Sequence, residues 1–136
     1  MNFKGSIVRR LAYRAKIGSN SKLQALELAY CKHDPVHWFN MWAWTFDPRL
    51  LAQGLPAYIP FDLFDRQAQY IHWLQERENN QEQGLVEKSR DMGLSWLNVG
   101  YAAHAWLFRP GFVGGFGSRK LELVDTIGDP DRKSVV

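Results

Sequence analysis

Apolar positions along the chain fall into two periods, one helical and one alternating, and together they divide it into elements. Leu23, Leu26 and Tyr30 recur at helical spacing behind Ser19 or Ser21, either of which can cap a helix. Trp42, Trp44 and Phe46 alternate with smaller residues, the period of extended chain. A loop is expected from Leu50 to Pro60, where Gly54, Pro56 and Pro60 break any regular pattern. Asp65 then stands as the cap of a helix with Tyr70, Ile71 and Leu74 on its buried face, and the polar run Gln75 to Gln83 is its solvated end. Gly84-Leu85-Val86 is a short apolar segment that predicts a strand. From Leu94 a stripe of Leu97, Tyr101, Ala105 and Phe108 predicts a helix, stopped by Arg109-Pro110-Gly111. Phe112-Val113-Gly114-Gly115-Phe116 predicts a second buried strand, and Ser118 caps a last helix through Leu121, Val124 and Ile127 that Gly128-Asp129-Pro130 closes. Strand, loop, helix, strand within about thirty residues is a right-handed βαβ unit, which implies a parallel sheet.

Composition adds little to that pattern. The 136 residues carry 17 Lys plus Arg against 14 Asp plus Glu, a formal charge of +3 that favours polyanions without requiring one. Residues 1–18 are a basic leader, containing Lys4, Arg9, Arg10, Arg14 and Lys16, and are expected to be a solvated arm, with contact to DNA or a partner as the alternative. No apolar run approaches the ~20 residues of a membrane helix, and no signal peptide is expected. The single cysteine, Cys31, excludes an internal disulfide framework and suits a reducing, cytosolic compartment. Cys31, His33 and His37 invite a zinc reading, but no second cysteine pair supports it and His72 and His104 lie on separate helical patterns; a packing segment is expected instead. The tryptophans nearby could stack nucleobases, although alternation with small residues points to core.

The stretch with the most chemistry is Lys88-Ser89-Arg90-Asp91-Met92-Gly93-Leu94-Ser95. A phosphate-binding loop needs inward-pointing N–H groups, a helix N-terminus, a cation and a hydroxyl for magnesium. Gly93 allows close backbone approach, the helix from Leu94 aims its positive end at an anion, Lys88 and Arg90 supply charge, and Ser95 stands at the hydroxyl position. The lysine sits at the front of the loop, and Leu94 holds the place where the standard pattern has it.

Lys88 through Trp96 resembles the variant Walker A motif of tailed-bacteriophage terminase large subunits, the ATPases that drive DNA packaging, in which a Lys or Arg commonly opens the loop. Asp34-Pro35 through Asp47-Pro48-Arg49 is similar to the segment ahead of that ATPase core, Arg66-Gln67 to its adenine-binding glutamine element, and Gly115 to Lys120 with Val124 to Pro130 to the strand and helix after the loop. The likeness covers roughly residues 30–130. It implies a three-layer α/β P-loop NTPase, truncated after its first βαβ unit, in which Gln67 binds adenine, Lys88 and the backbone of 89–95 bind the phosphates of ATP, and Ser95 binds Mg. It also implies double-stranded viral DNA, the portal and procapsid, and the small terminase subunit as partners, no membrane, and the cytoplasm of an infected bacterial host. The motif of apolar residues ending in Asp-Glu is missing, so this chain is expected not to turn over ATP. The rival reading is a small nucleotide- or DNA-binding adaptor. The expected organisation is an N-terminal segment over 1–60, the start of an ATPase domain over 61–130, and a non-native, adapter-derived tail over 131–136.

Overall fold

The computed structural model describes residues 3–89 and 92–117. The basic leader is helix α1 (Phe3–Gly18), which corrects the expectation of a solvated arm. Its inner face carries half-buried Ile7 and Arg14 and buried Arg10 and Ile17, so arginines occupy positions where a helical stripe would show apolar residues. Arg10 is 1% exposed, and its guanidinium donates to Ala43 O (2.6 Å), Phe39 O (3.1 Å) and the Asp62 carboxylate (3.1 Å). Those three acceptors surround the buried guanidinium, which would otherwise be a charge without partners.

Helix α2 (Ser21–His33) is capped by Asn20, whose Oδ1 accepts from the N–H groups of Lys22 and Leu23, in place of either serine. It buries Glu27 and Cys31, while Leu26 and Tyr30 face outward at 67% and 52% exposure. Asp34 then ends α2 and caps α3 (Pro35–Met41), accepting from Val36 and His37 N–H, with Pro35 in the first turn where its missing N–H costs nothing. Asp47-Pro48 repeats the device for a 3-10 helix (Pro48–Gln53) that Gly54 terminates at φ +69°. On either side of that turn β1 (Trp44–Phe46) and β2 (Tyr58–Pro60) pair antiparallel, Thr45 opposite Ile59. The expected alternation at Trp42, Trp44 and Phe46 thus forms a strand only from Trp44.

Helices α4 (Asp65–Asn79) and α5 (Leu94–Phe108) form where their stripes predict them. Phe39, Ala43, Ile71, Leu97 and Tyr101 make the core, so α3, α4 and α5 share one cluster that Trp38, Phe61, Leu63 and Leu74 flank. Gly100 of α5 packs against α3. A Cβ there would lie 2.4 Å from the Phe39 ring, and Phe39 is fully buried.

The expected parallel three-layer α/β P-loop fold does not form: the described residues are mostly helical, and their sheet has two antiparallel strands. Neither flank of α5 is a strand among the described residues. Leu85 is 96% exposed and Val113 91%, so the apolar side chains that suggested buried strands meet no second layer, and their backbone meets no neighbouring strand to complete a ladder. The helix expected from Ser118 to Pro130 and the tail over 131–136 lie outside the described residues. Among the described residues no helix is long and apolar enough to cross a membrane.

Candidate functional site

The β1–β2 ribbon, the start of α4 and the start of α5 enclose an open cleft of ≈ 520 Å³, within the size range of small-molecule sites. One wall is Thr45, Phe46, Asp47 and Arg49, from the end of β1 and the turn that follows. Asp47 serves both the 3-10 helix, by accepting from Arg49 N–H (3.1 Å), and the Arg49 guanidinium, by accepting from Nε (2.9 Å) and a terminal nitrogen (2.8 Å). Those hydrogen bonds from Arg49 hold the Asp47 carboxyl below the usual carboxylate range. Ile59, Phe61 and Asp62 continue the lining, with Asp62 fixed from behind by Arg9 and Arg10.

The opposite wall is Gln67, Lys88, Gly93, Leu94, Ser95 and Trp96. Gln67 lies in the first turn of α4, and its Oε1 accepts from Phe64 N–H (3.1 Å), fastening the helix start. Its Nε2 donates to Met92 O at 3.4 Å, a long bond that ties α4 to the loop ahead of α5. Gly93 begins α5 at φ +72°, where a side chain is strained, and a Cβ there would stand 3.3 Å from Gln67 Nε2. No side chain caps α5, so the positive end of a 15-residue helix opens at this wall. Further back, the Gly84 backbone lies against the Trp73 ring, so close that a Cβ would fall 2.2 Å from it, which anchors the exposed segment leading to Lys88.

Of the residues assigned from the sequence, Gln67, Lys88, Gly93, Leu94 and Ser95 meet in this cleft. Ser89 and Met92 are exposed and do not line it, although the Met92 carbonyl holds Gln67. Arg90 and Asp91 lie outside the described residues. Thr45, Asp47, Arg49 and Asp62 join the lining without any sequence motif that assigns them a role. Asp47-Pro48, a cap followed by a first-turn proline, was the signal that this turn is built rather than loose. Compared with models of known protein families, with curated proteins and with solved structures, the chain shows no match.

Proposed function

We propose that this cleft binds Mg-ATP and that the chain is the nucleotide-holding N-terminal part of a viral DNA-packaging ATPase of the terminase large-subunit kind. The observation that supports it is convergence: Gln67, which the resemblance implies for adenine, and Lys88, Gly93, Leu94 and Ser95 of the phosphate loop line one cleft of suitable size. An amide oxygen has two acceptor positions and an amide nitrogen two N–H groups. With one of each engaged by Phe64 N–H and Met92 O, Gln67 keeps one of each for the paired donor and acceptor on an adenine edge. Lys88 and the uncapped start of α5 meet the phosphates, and the exposed Ser95 hydroxyl takes a magnesium position. Double-stranded viral DNA, the portal and procapsid and the small terminase subunit are the partners of this reading, in the cytoplasm of an infected bacterium.

The absence of a parallel sheet among the described residues favours a second reading, a nucleotide- or DNA-binding adaptor without ATPase activity. Calorimetric titration of Mg-ATP into Lys88→Ala, Ser95→Ala and Gln67→Ala separates the two. Loss of one charge-assisted contact weakens binding by about 10- to 100-fold. The packaging reading requires that loss for Lys88→Ala and Ser95→Ala, and a loss of up to about tenfold for Gln67→Ala, whose contacts to adenine are uncharged. Indifference to Ser95→Ala leaves a simple anion nest and the adaptor, and indifference to all three overturns nucleotide binding at this cleft.

A further inference from the structure

Away from the cleft, three potential metal ligands from two helices point at one another. Glu27 and Cys31 stand one turn apart on α2, and His37 reaches them from α3. A carboxylate oxygen, the thiol sulfur and an imidazole nitrogen all lie within 4.8 Å of one another, with Glu27 and Cys31 buried and His37 half-buried. Glu27 Oε1 is 2.8 Å from His37 Nε2 and 3.3 Å from Cys31 Sγ. Tetrahedral zinc, with bonds of about 2.0–2.3 Å, spaces such donors roughly 3.3–3.8 Å apart, so Glu27 and His37 need to part slightly while the widest pair, within 4.8 Å, draws in.

We propose that Glu27, Cys31 and His37 form a site for a zinc-class divalent cation, three protein ligands with a fourth position open to the cleft beside Tyr13, Leu26 and Tyr30. Nitrogen, sulfur and oxygen donors in one set suit zinc among the common divalent ions. The cleft, of ≈ 390 Å³ and lined by Glu27 itself, supplies access and room for a water ligand. An outer shell is in place: Tyr13 OH donates to Glu27 Oε2 (2.5 Å) and Trp42 Nε1–H donates to Oε1 (2.7 Å), fixing the carboxylate from two further elements. Among the described residues Glu27 forms an ion pair with His37 alone, so the buried carboxylate has no permanently charged cation in contact.

Without metal, the same groups satisfy one another. Glu27 accepts from Cys31, His37 and Trp42 on Oε1 and from Tyr13 on Oε2. Metal replaces the Cys31 and His37 donors and leaves Tyr13 and Trp42 on the carboxylate, so Glu27 stays hydrogen-bonded in both states. The thiol proton is released to solvent as the Zn–S bond forms, and His37 coordinates through Nε2 as the neutral ring with its proton on Nδ1.

The test is zinc competition against a chromophoric chelator on the full chain after dialysis against EDTA, with cobalt(II) as a spectroscopic stand-in. One zinc per chain and a thiolate-to-cobalt charge-transfer band are expected. Cys31→Ser keeps a donor for Glu27 while removing the thiolate, so it preserves the fold and weakens zinc at least about 100-fold; Tyr13→Phe weakens it about tenfold. His33→Ala, at an exposed position, leaves affinity unchanged. A wild-type chain with no charge-transfer band, or a Cys31→Ser chain that binds zinc as tightly as the wild type, overturns the proposal. The cobalt band is read on unmutated protein, so folding of the variants does not decide it.

Discussion

Glu27→Gln tests how the N-terminal helices are held together. Glu27 is 7% exposed and joins α1, α2, α3 and the residue after α3 through Tyr13, Cys31, His37 and Trp42. Burial by itself would raise its pKa, but hydrogen bonds from Tyr13, Trp42, His37 and Cys31 outweigh that and bring it from 4.5 down to about 2. At ~1.4 kcal/mol per pKa unit, that difference makes ionised Glu27 worth about 3 kcal/mol to the fold. A glutamine of the same shape keeps Oε1 for His37, Cys31 and Trp42, and its amide nitrogen donates to the Tyr13 oxygen, so mainly the charge is lost. The sign follows from a depressed carboxyl: the stabilisation is complete above pH 4.5 and disappears as pH falls through about 2. Urea unfolding followed by tryptophan fluorescence, with EDTA present to exclude metal, reads the difference. Wild type exceeds Glu27→Gln by about 3 kcal/mol at pH 7, and the gap closes toward pH 2. Equal stability at pH 7, or a gap independent of pH, refutes the reasoning.

Gly100→Ala removes a flexible residue from a helix, a change worth about 1 kcal/mol in favour of the fold on propensity alone. Its Cβ would meet the immobile Phe39 ring at 2.4 Å, so overpacking of roughly 1–3 kcal/mol prevails and thermal melting shows a lower Tm; an unchanged or raised Tm contradicts the close contact of α5 with α3. His104 is 1% exposed, and its Nε2–H donates to Cys31 O at 2.7 Å while Nδ1 has no hydrogen-bond partner among the described residues. Burial holds its pKa below the ordinary 6.5, so the neutral ring is the folded form and the folded state loses stability as pH falls below 6.5. The NMR titration of His104 midpoints lower than that of an unfolded peptide; a midpoint at or above 6.5 contradicts the burial.

The long helices were legible because α4 and α5 carry apolar stripes at helical spacing, and their packing keeps those stripes inward. Helix α1 was not, because Arg10 and Arg14 fill its inner face and their charges are met by backbone carbonyls and aromatic rings that no local pattern displays. Helix α3 was announced by Asp34-Pro35, a cap and a first-turn proline, yet the aromatic alternation beginning in the same segment read as extended chain. The supposed strands failed because apolar composition says that a segment can be buried, not that a partner exists. Leu85 and Val113 have none among the described residues. In the cleft, the sequence reading found Gln67 and the loop through their local chemistry, whereas Arg49 and Asp62 reach it only through the β1–β2 ribbon and the Arg10 anchor. Glu27 joins Cys31 and His37 for the same reason: its i, i+4 spacing to Cys31 is visible, but the turn at Asp34 that brings His37 back is tertiary information.

The most direct test of the nucleotide cleft is an NMR titration of the full chain with Mg-ATP, observing the Gln67 side-chain amide and the backbone N–H groups of Gly93 and Ser95. These three signals are predicted to shift together, with one saturating affinity, while His104 and Ala105 on the far part of α5 stay in place. No shift at Gln67 and Gly93 at millimolar Mg-ATP, or saturation that moves other residues and leaves these unchanged, would contradict the account.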